Sequence, residues 1–467
     1  MNEIFTLMKP ELVITGIIFL LLFVKIGKGL KNEHLLLLIQ ALLLLNFVAG
    51  FFFNTTGSLF DGMYLTTNLI VLQKNILSLG VYLISLLFAH WFKKSEHMPE
   101  FFMLMLSALL GMFFLISSGN LLMFFLALEL ATIPVAAMVN FDLDKKRSSE
   151  AAMKMILSSA FSSGILLFGI SLIYGATGTI SFQELSQHLD GSPLQVLALV
   201  FLFSAFAFKL SIVPFHLWTA DVYEGAPMAA TAFLSVISKG AVAFIFMATL
   251  YKVFQPMHAL WYNMVVILAI ATMLIGNLFA LRQQNIKRFL AFSSIAQVGF
   301  ILVGISSNAN EGTSSVVYFI LIYLFSNLAA FGVAAAISSQ TNRENIDDYN
   351  GLYQTNPFLS WVLALALFSL AGIPPTAGFF GKLFLLTAGA GAAKASYLFI
   401  TIAALNMVIS LYYYLRVIRS VFMEKNDQPL EKIKIEPAAK FALIICGAGI
   451  ILVGILSWVY DYIQGLV

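Results

Sequence analysis

Charged residues and cysteine are both scarce in this sequence. Only 10% of the 467 residues are charged, and Cys446 is the single cysteine. One cysteine excludes an internal disulfide bond, a structural zinc site and an iron–sulfur cluster held by this chain. The net charge is only +3, and no basic patch alternates with stacking aromatic residues. The composition therefore excludes a nucleic-acid-binding protein.

Long apolar runs dominate the sequence instead. Hydrophobic residues make up 60% of the chain, which is more apolar surface than a soluble protein can hide from water. The runs are about 20 residues long, the length that crosses a bilayer as a helix. They do not alternate apolar and polar residues, as the strands of a membrane barrel do. We therefore predict an all-α integral membrane protein embedded in a lipid bilayer.

About fourteen membrane spans are predicted, and most of the loops between them are short. The spans cover residues 11–27, 33–53, 70–92, 101–118, 120–140, 153–175, 194–216, 228–250, 259–280, 288–307, 315–338, 357–388, 396–420 and 440–463. The longest loop, 176–193, mixes Phe182, Leu185 and Leu189 with polar side chains, which predicts a short interfacial helix.

Lysine and arginine are concentrated in alternate loops. The richer set includes Lys25, Lys28 and Lys31 after span one, Lys145, Lys146 and Arg147 after span five, and Arg416, Arg419 and Lys425 after span thirteen. The opposite loops carry only Lys9, Lys74, Lys252 and Lys394. By the positive-inside rule, we expect both termini outside the cytoplasm, which requires an even number of spans.

Two spans contain proline in mid-course, at Pro214 in span seven and at Pro374 and Pro375 in span twelve. Proline removes a backbone donor and clashes with the preceding turn, so both helices are expected to break there. Two broken helices five spans apart predict inverted five-helix repeats, spans 4–8 and 9–13. The segments are then 1–100 (spans 1–3), 101–250, 259–420 and 421–467 (span 14). Ordinary proline kinks are the alternative.

Four ionisable residues are predicted to lie deep in the membrane. Glu129 is the one acid placed near the middle of a span, and Lys209, Lys239 and Lys382 lie equally deep. Charges at that depth usually pair or face water. Burial favours the neutral forms of lysine and glutamate, so such residues can gain and lose protons readily. The set predicts a proton relay, and a static ion pair that fixes helix packing is the alternative.

Other polar residues near the first break are less specific. His216, just past Pro214, is a candidate relay or access residue, or else an interfacial histidine beside Trp218. Asp221 and Glu224 follow in what reads as a solvated turn, although proton uptake or a partner contact is also conceivable. No dinucleotide fingerprint, metal cluster or nucleophile motif is present, so we expect no redox chemistry in this chain.

Several short motifs lie around the breaks and the deep charged residues: PFHLW (214–218), DVYEGAP (221–227), SKG (238–240), KR (287–288), AFSSIA (291–296), AGIPP (371–375) and YYYLR (412–416). Together they resemble the motifs of a known family, the N subunits of bacterial respiratory complex I, the NADH:quinone oxidoreductase. The resemblance covers most of the chain, although the first hundred residues carry little that is diagnostic.

The resemblance implies an antiporter-like membrane-arm subunit with a chain of buried charges. By position, Glu129, Lys209, Lys239 and Lys382 match the family's charged residues. NADH, FMN, iron–sulfur clusters and quinone would be bound by partner subunits, and a neighbouring antiporter-like subunit would be in contact. This chain has Gln297 where family members often have histidine. Glutamine does not titrate, so we expect water to connect Lys239 and Lys382 there.

Two other functions remain open from the sequence. A subunit of a multi-subunit cation/proton antiporter would share the fold and exchange sodium for protons without a redox partner. A non-pumping membrane scaffold would use the buried charges only to hold helices together. The segment YEGAP (223–227) favours the N subunit over the antiporter.

Overall fold

Helices form nearly all of the structure, a computed structural model that describes residues 2–27, 30–53, 56–391, 397–426 and 430–467. Lys28 and Lys394, which entered the charge pattern above, lie outside these residues. Within a bilayer every backbone amide must be hydrogen-bonded internally, and a helix does this within one segment. The apolar runs therefore fold as helices.

The helices are α1 (Asn2–Leu7), α2 (Lys9–Ile26), α3 (Asn32–Gly50), α4 (Asn68–Leu87), α5 (Ala89–Lys94), α6 (Met98–Ile116), α7 (Leu121–Val139), α8 (Lys146–Thr177), α9 (Phe182–His188), α10 (Pro193–Leu210), α11 (Leu217–Gly225), α12 (Met228–Ala232), α13 (Lys239–Lys252), α14 (His258–Arg282), α15 (Ile286–Ile305), α16 (Ala309–Thr341), α17 (Leu352–Thr355), α18 (Pro357–Ala371), α19 (Ala377–Gly391), α20 (Tyr397–Phe422), α21 (Pro437–Ile455) and α22 (Trp458–Gln464). A π-helix (Phe233–Ser238) joins α12 to α13, and 3₁₀ turns cover Gln255–Met257 and Ile346–Tyr349. Strands β1 (Gly57–Leu59) and β2 (Tyr64–Thr66) form an antiparallel hairpin.

Twelve helices among the described residues are long and apolar enough to cross a membrane, counting α12 to α13 as one. Each overlaps a predicted span. Of the other two predicted spans, 11–27 corresponds to α2, which carries three charged residues, and 357–388 is divided into the shorter α18 and α19. The all-α membrane fold is confirmed, and the count of fourteen spans stays a prediction. The short helix in loop 176–193 is confirmed as α9.

Large apolar side chains cover the outside of several long helices. On α8, for example, Leu157, Phe161 and Phe168 are exposed by more than half of their surface. Contiguous exposed apolar surface of this kind is unfavourable in water and favourable against lipid. The helix faces thus separate into a lipid-facing side and a side buried in protein.

The chain divides into two compact units. The first comprises Met1–Tyr82, Phe92–Trp218 and Gly225–Met264. Its centre is α6, which packs against α2, α7 and α13. Gly111 on α6 lies so close to α7 that an added Cβ would lie 2.4 Å from the backbone nitrogen of Ala131. A small residue at this position lets the two backbones approach closely, as in many membrane helix pairs.

The second unit comprises Leu83–Trp91, Thr219–Glu224 and Val265–Val467. Its centre is the 33-residue α16, which packs against α15, α18, α19 and α21. Both α15 and α16 are almost wholly buried. The two half-helices α18 and α19 therefore each pack one side against a buried helix.

Candidate functional site

The first helix break lies between α10 and α11. Helix α10 ends at Leu210, and Ser211 takes a left-handed conformation with φ of 63°. The Ile212 N–H then donates to the Ala207 carbonyl at 2.8 Å, which closes the helix end. Across the break, the Trp218 indole donates to the Phe208 carbonyl at 3.1 Å. The break predicted at Pro214 is confirmed, and a side chain braces it.

The second break, between α18 and α19, repeats this hydrogen-bond pattern. Gly372 takes the left-handed conformation with φ of 85°, and the Ile373 N–H donates to the Phe368 carbonyl at 3.0 Å. Gly372 thus occupies the position of Ser211, and each break contains one cis X–Pro bond. The prediction of a break at the proline pair is confirmed. Sequence position alone did not reveal that the two ends are built alike.

Glu129 lies on α7 and is half-buried. Its Oε1 accepts a hydrogen bond from the Ser163 hydroxyl on the neighbouring α8. Three residues further along α7, Thr132 lies on the same helix face. The carboxylate is therefore positioned between two helices that both present hydroxyl groups.

Lys209, in the last turn of α10, points at these hydroxyls. Its Nζ donates to Thr132 Oγ1 at 2.6 Å and to Ser159 Oγ at 3.0 Å. Thr132 is on the helix that carries Glu129, and Ser159 is one turn from Ser163 on α8. The structure therefore brings Glu129 and Lys209 into one polar strip among α7, α8 and α10. The sequence did not identify the hydroxyl residues Thr132, Ser159 and Ser163. Ser159 and Ser163 are four residues apart, a spacing that places them on one face of a helix.

Lys239 is buried, with 3% of its surface exposed. It is the first residue of α13 and directly follows the π-helix Phe233–Ser238. A π-helical turn widens the helix locally and frequently marks a functional site. The depth of Lys239 agrees with the prediction, whereas the π-helix has no signal in the sequence that we recognised.

Lys382, on α19, is 1% exposed and points back into the second break. Its Nζ donates to the carbonyls of Leu370 at 2.7 Å and Ala371 at 3.3 Å. These carbonyls lie in the last turn of α18, where no further helix turn can use them. The ammonium group also lies 4.6 Å from the centre of the Phe300 ring, a favourable cation–π contact. The break itself thus provides the polar partners of this lysine.

Gln297, on α15, shares a partner with Lys382. Its Nε2 donates to the Leu370 carbonyl at 2.9 Å and to the Tyr414 hydroxyl at 3.0 Å. The Tyr414 hydroxyl lies 2.5 Å from Ser293 Oγ. The sequence identified Gln297 as a departure from the family pattern. It did not identify Tyr414 and Ser293, because helices far apart in the chain bring them together.

His216 lies at the end of the first break and is 6% exposed. Its neighbours Pro214, Phe215, Leu217 and Trp218 line a cavity of about 340 Å³, to which α8 contributes Ser158 and Ser162. The histidine is thus buried beside Trp218 within the protein chain, and its relay role stays a prediction.

Asp221 and Glu224 lie in helix α11, which corrects the prediction of a solvated turn. Arg288 Nη1 lies 2.8 Å from a carboxylate oxygen of each residue. Lys287 adds a hydrogen bond to the Glu224 backbone carbonyl at 3.3 Å. The KR and DVYEGAP motifs therefore form one charge cluster, in which each carboxylate is partly screened from solvent.

The prediction that Lys74 lies in a loop is wrong. Glu11 lies in the first turn of α2 and Lys74 in the second turn of α4, each 1% exposed. They form a buried ion pair with 2.6 Å between Lys74 Nζ and Glu11 Oε1. Lys74 is a single charge within a long apolar run. Counting it with the loop charges concealed that it lies inside a helix.

Similarity to known proteins identifies the family of this chain. Residues 118–410 match the family described as NADH:quinone oxidoreductase/Mrp antiporter, TM. The NADH-quinone oxidoreductase subunit N of Phocaeicola vulgatus is 46% identical over 98% of this chain and 97% of that protein. The chain belongs to the NADH-quinone oxidoreductase subunit N family. The resemblance given by the sequence motifs is thereby confirmed.

Chains of solved structures share this fold. A chain of respiratory complex I from Thermus thermophilus with bound aureothin is 27% identical, with a TM-score of 0.80 over 96% of this chain and 97% of that one. A chain of the Mrp complex from Dietzia sp. DQ12-45-1b has a TM-score of 0.87 over 98% of this chain and 96% of that one. Its identity is 19%, so this second likeness shows a shared fold alone.

The region that matches the family description contains every predicted relay residue. Glu129, Lys209, His216, Lys239 and Lys382 all lie between residues 118 and 410. The buried pair Glu11 and Lys74 lies outside that region. Among the described residues, no group of three or more histidine, cysteine, aspartate or glutamate side chains could hold a metal ion.

Proposed function

We propose that this chain is a proton-translocating subunit in the membrane arm of a respiratory NADH:quinone oxidoreductase. The observation that carries the proposal is the placement of a lysine at each helix break, half-buried at Lys209 and fully buried at Lys382. Lys209 lies in the last turn of the helix before the first break, and Lys382 donates a hydrogen bond to a carbonyl at the second break. A lysine held only by neutral oxygens can lose its proton without leaving a buried carboxylate unpaired.

In the first half of the chain, which contains the repeat 101–250, Glu129 and Lys209 are the proposed proton carriers. The hydroxyls of Thr132, Ser159 and Ser163 contact one or the other of them. A hydroxyl group both donates and accepts hydrogen bonds, so Ser163 can exchange a proton with the carboxylate, and Thr132 and Ser159 can exchange one with the amine. The alternative of a static ion pair fits less well, because Lys209 binds hydroxyls where such a pair needs direct contact with the carboxylate.

In the second half, Lys382 is the proposed carrier, and Gln297 is a positioning residue. The shared Leu370 carbonyl can only accept hydrogen bonds, so it holds both side chains without passing a proton. The hydroxyls of Tyr414 and Ser293 lie on the other side of Gln297. We propose that water and these hydroxyls take the place of a titrating histidine beside Lys382.

His216 is the proposed access residue of the first half. It is buried at the first break, and the residues on either side of it line the cavity of about 340 Å³. Imidazole changes charge close to neutral pH, so it can exchange protons between the cavity and Lys209.

The proposal includes the arrangement of the chain in the membrane. Both termini lie on the outer side of a bacterial cytoplasmic membrane, as the basic loops indicate. Segment 1–100 precedes the inverted repeats 101–250 and 259–420, and 421–467 follows them. The matching hydrogen bonds at Ser211 and Gly372 support the repeats.

Energy for pumping comes from partner subunits in this proposal. They bind NADH, FMN, iron–sulfur clusters and quinone, and a neighbouring antiporter-like subunit adjoins this chain in the bilayer. Quinone reduction then drives proton movement through conformational and electrostatic coupling along the buried charges. The chain's own residues bind no redox group and move only protons.

Copurification tests the assignment to a redox complex. An affinity tag on this chain is expected to recover hydrophilic subunits that oxidise NADH, and vesicles containing that complex should acidify when NADH is added. The Mrp-type alternative predicts other membrane subunits, no NADH oxidation, and proton movement that requires sodium. The scaffold alternative predicts NADH oxidation with proton pumping that is insensitive to Glu129→Gln. Either of these results would refute the proposal.

A further inference from the structure

Three polar side chains meet near the start of α2, apart from the proposed relay. Lys74 Nζ lies 2.6 Å from Glu11 Oε1 and donates to the Tyr64 hydroxyl at 3.0 Å. The Tyr64 hydroxyl is 3.1 Å from the same carboxylate oxygen. Glu11 and Lys74 are 1% exposed and Tyr64 is fully buried. These three residues, called the N-terminal triad below, form a closed set of mutual contacts.

The hairpin holds Tyr64 in this set. Tyr64 pairs with Leu59 in the β1–β2 hairpin, and the next residue, Leu65, donates its N–H to the Ser117 carbonyl at 2.8 Å. The Tyr64 hydroxyl also reaches the Leu7 carbonyl at 3.2 Å. A rigid backbone on both sides therefore fixes the hydroxyl between the lysine and the carboxylate.

Lys74 also borders a small polar cavity. The cavity has a volume of about 10 Å³ and is lined by Lys74, Asn46, Asn75 and Ser78, among others. That volume is close to the minimum that holds one water molecule, which needs two to four polar partners. Of the carboxylate oxygens, Glu11 Oε2 is buried and has no hydrogen-bond partner among the described residues. The triad thus has a proton-accepting atom on the carboxylate that its own contacts do not use.

We infer that the N-terminal triad is a second proton-transfer site of this subunit. A proton passes from the Lys74 ammonium to the Glu11 carboxylate, which leaves a neutral amine and a neutral acid. The amine then takes up a proton that arrives as hydronium through the water of the small cavity, and the Glu11 acid releases its proton to another water molecule, which becomes hydronium. One proton enters and one leaves, and the ion pair is restored.

The net charge of the pair is zero both before and after the internal transfer. The step therefore moves no uncompensated charge into the membrane, and the ion pair and the neutral pair can exchange in place. Tyr64 is a positioning residue, since its hydroxyl contacts both partners in either state.

The triad is separate from the proposed relay. Helix α6 packs between α2, which carries Glu11, and α7, which carries Glu129. Beyond Glu100 in its first turn, α6 contains no charged residue. Because Glu11 is in the first turn of α2, the proposed orientation places the triad near the outer surface. There it would exchange protons with the outer side, so this inference rests on the proposed function.

The competing explanation is an ion pair that only holds α2 to α4. Replacing both members of such a pair by apolar residues of similar volume is often neutral or stabilising, whereas removing one is strongly destabilising. The double variant Glu11→Leu/Lys74→Met therefore separates the two explanations. The matched control is Asp142→Asn/Lys145→Met, which removes a pair with 2.8 Å between Lys145 Nζ and Asp142 Oδ2. Lys145 there is exposed, so this pair contributes little to stability.

The experiment measures assembly and the proton-to-NADH ratio of the purified complex in vesicles. We expect the double variant to assemble and oxidise NADH with a lower ratio than the control pair. Assembly with an unchanged ratio would overturn the inference. If the double variant does not assemble, Tyr64→Phe decides, because it keeps the ring and removes only the hydroxyl. A lowered ratio in Tyr64→Phe then supports the inference, and a normal ratio refutes it.

Failure of the proposed function gives a different result. In that case the wild-type complex does not pump at all, or Lys239→Ala leaves the ratio unchanged. The inference about the triad fails alone under three joint conditions. The wild-type complex pumps, Lys239→Ala lowers the proton-to-NADH ratio, and the triad variants leave that ratio unchanged.

Discussion

Replacing Lys382 by methionine removes the charged group at the second helix break and keeps the length of the side chain. Two hydrogen bonds are lost, to the carbonyls of Leu370 at 2.7 Å and Ala371 at 3.3 Å. A hydrogen bond from a charged donor is worth about 1.5–3 kcal/mol, but burying the ammonium group costs roughly several kcal/mol in return. The Leu370 carbonyl also keeps its bond from Gln297. The two contributions offset each other, so the complex is expected to assemble.

Proton transfer responds differently, because methionine cannot carry a proton. A positioned acid–base group typically accelerates proton transfer by about 10²–10⁴-fold, so transfer through this position should slow by at least that lower factor. The assay is NADH-driven acidification of vesicles containing the complex, normalised to NADH oxidation. Lys154→Met is the control, since Lys154 forms an ion pair with the exposed Glu150 on the surface of α8. Equal pumping by Lys382→Met and Lys154→Met, at equal assembly, would refute the reasoning.

Two further substitutions test other parts of the structure. Tyr414→Phe removes the hydroxyl next to Gln297 and should lower the proton-to-NADH ratio at normal assembly. The control, Tyr412→Phe, changes an exposed tyrosine and should leave the ratio unchanged. Equal ratios in the two variants would exclude the Tyr414 hydroxyl from the proton path. Gly111→Ala should reduce the yield of assembled complex, because its Cβ would lie 2.4 Å from the α7 backbone. Gly164→Ala, which meets nothing within 4 Å, should leave the yield unchanged, and equal yields would contradict the close packing of α6 on α7.

The features that the sequence predicted well are those set by local chemistry. Pro214 and Pro375 cannot continue a helix, so both breaks were predictable from single residues. Lys239 and Lys382 are isolated charges in long apolar runs, so their burial was predictable as well. The family motifs around these residues also gave the family correctly.

The features that the sequence did not predict depend on contacts between segments far apart in the chain. Tyr414 reaches Gln297 only because α15 and α20 meet in the second unit. Arg288 pairs with Asp221 across 67 positions in sequence, which turned an apparent solvated turn into a charge cluster. Lys74 was assigned to a loop because the positive-inside rule counts charges and does not test whether each has a buried partner such as Glu11.

The central claim is that the buried lysines carry protons, and Lys239 tests it most directly. It is 3% exposed and directly follows the π-helix Phe233–Ser238. The decisive measurement is the number of protons translocated per NADH oxidised by the purified complex carrying Lys239→Ala. The account predicts an assembled complex that still oxidises NADH with a lowered proton-to-NADH ratio. An assembled complex that keeps the wild-type ratio would contradict it.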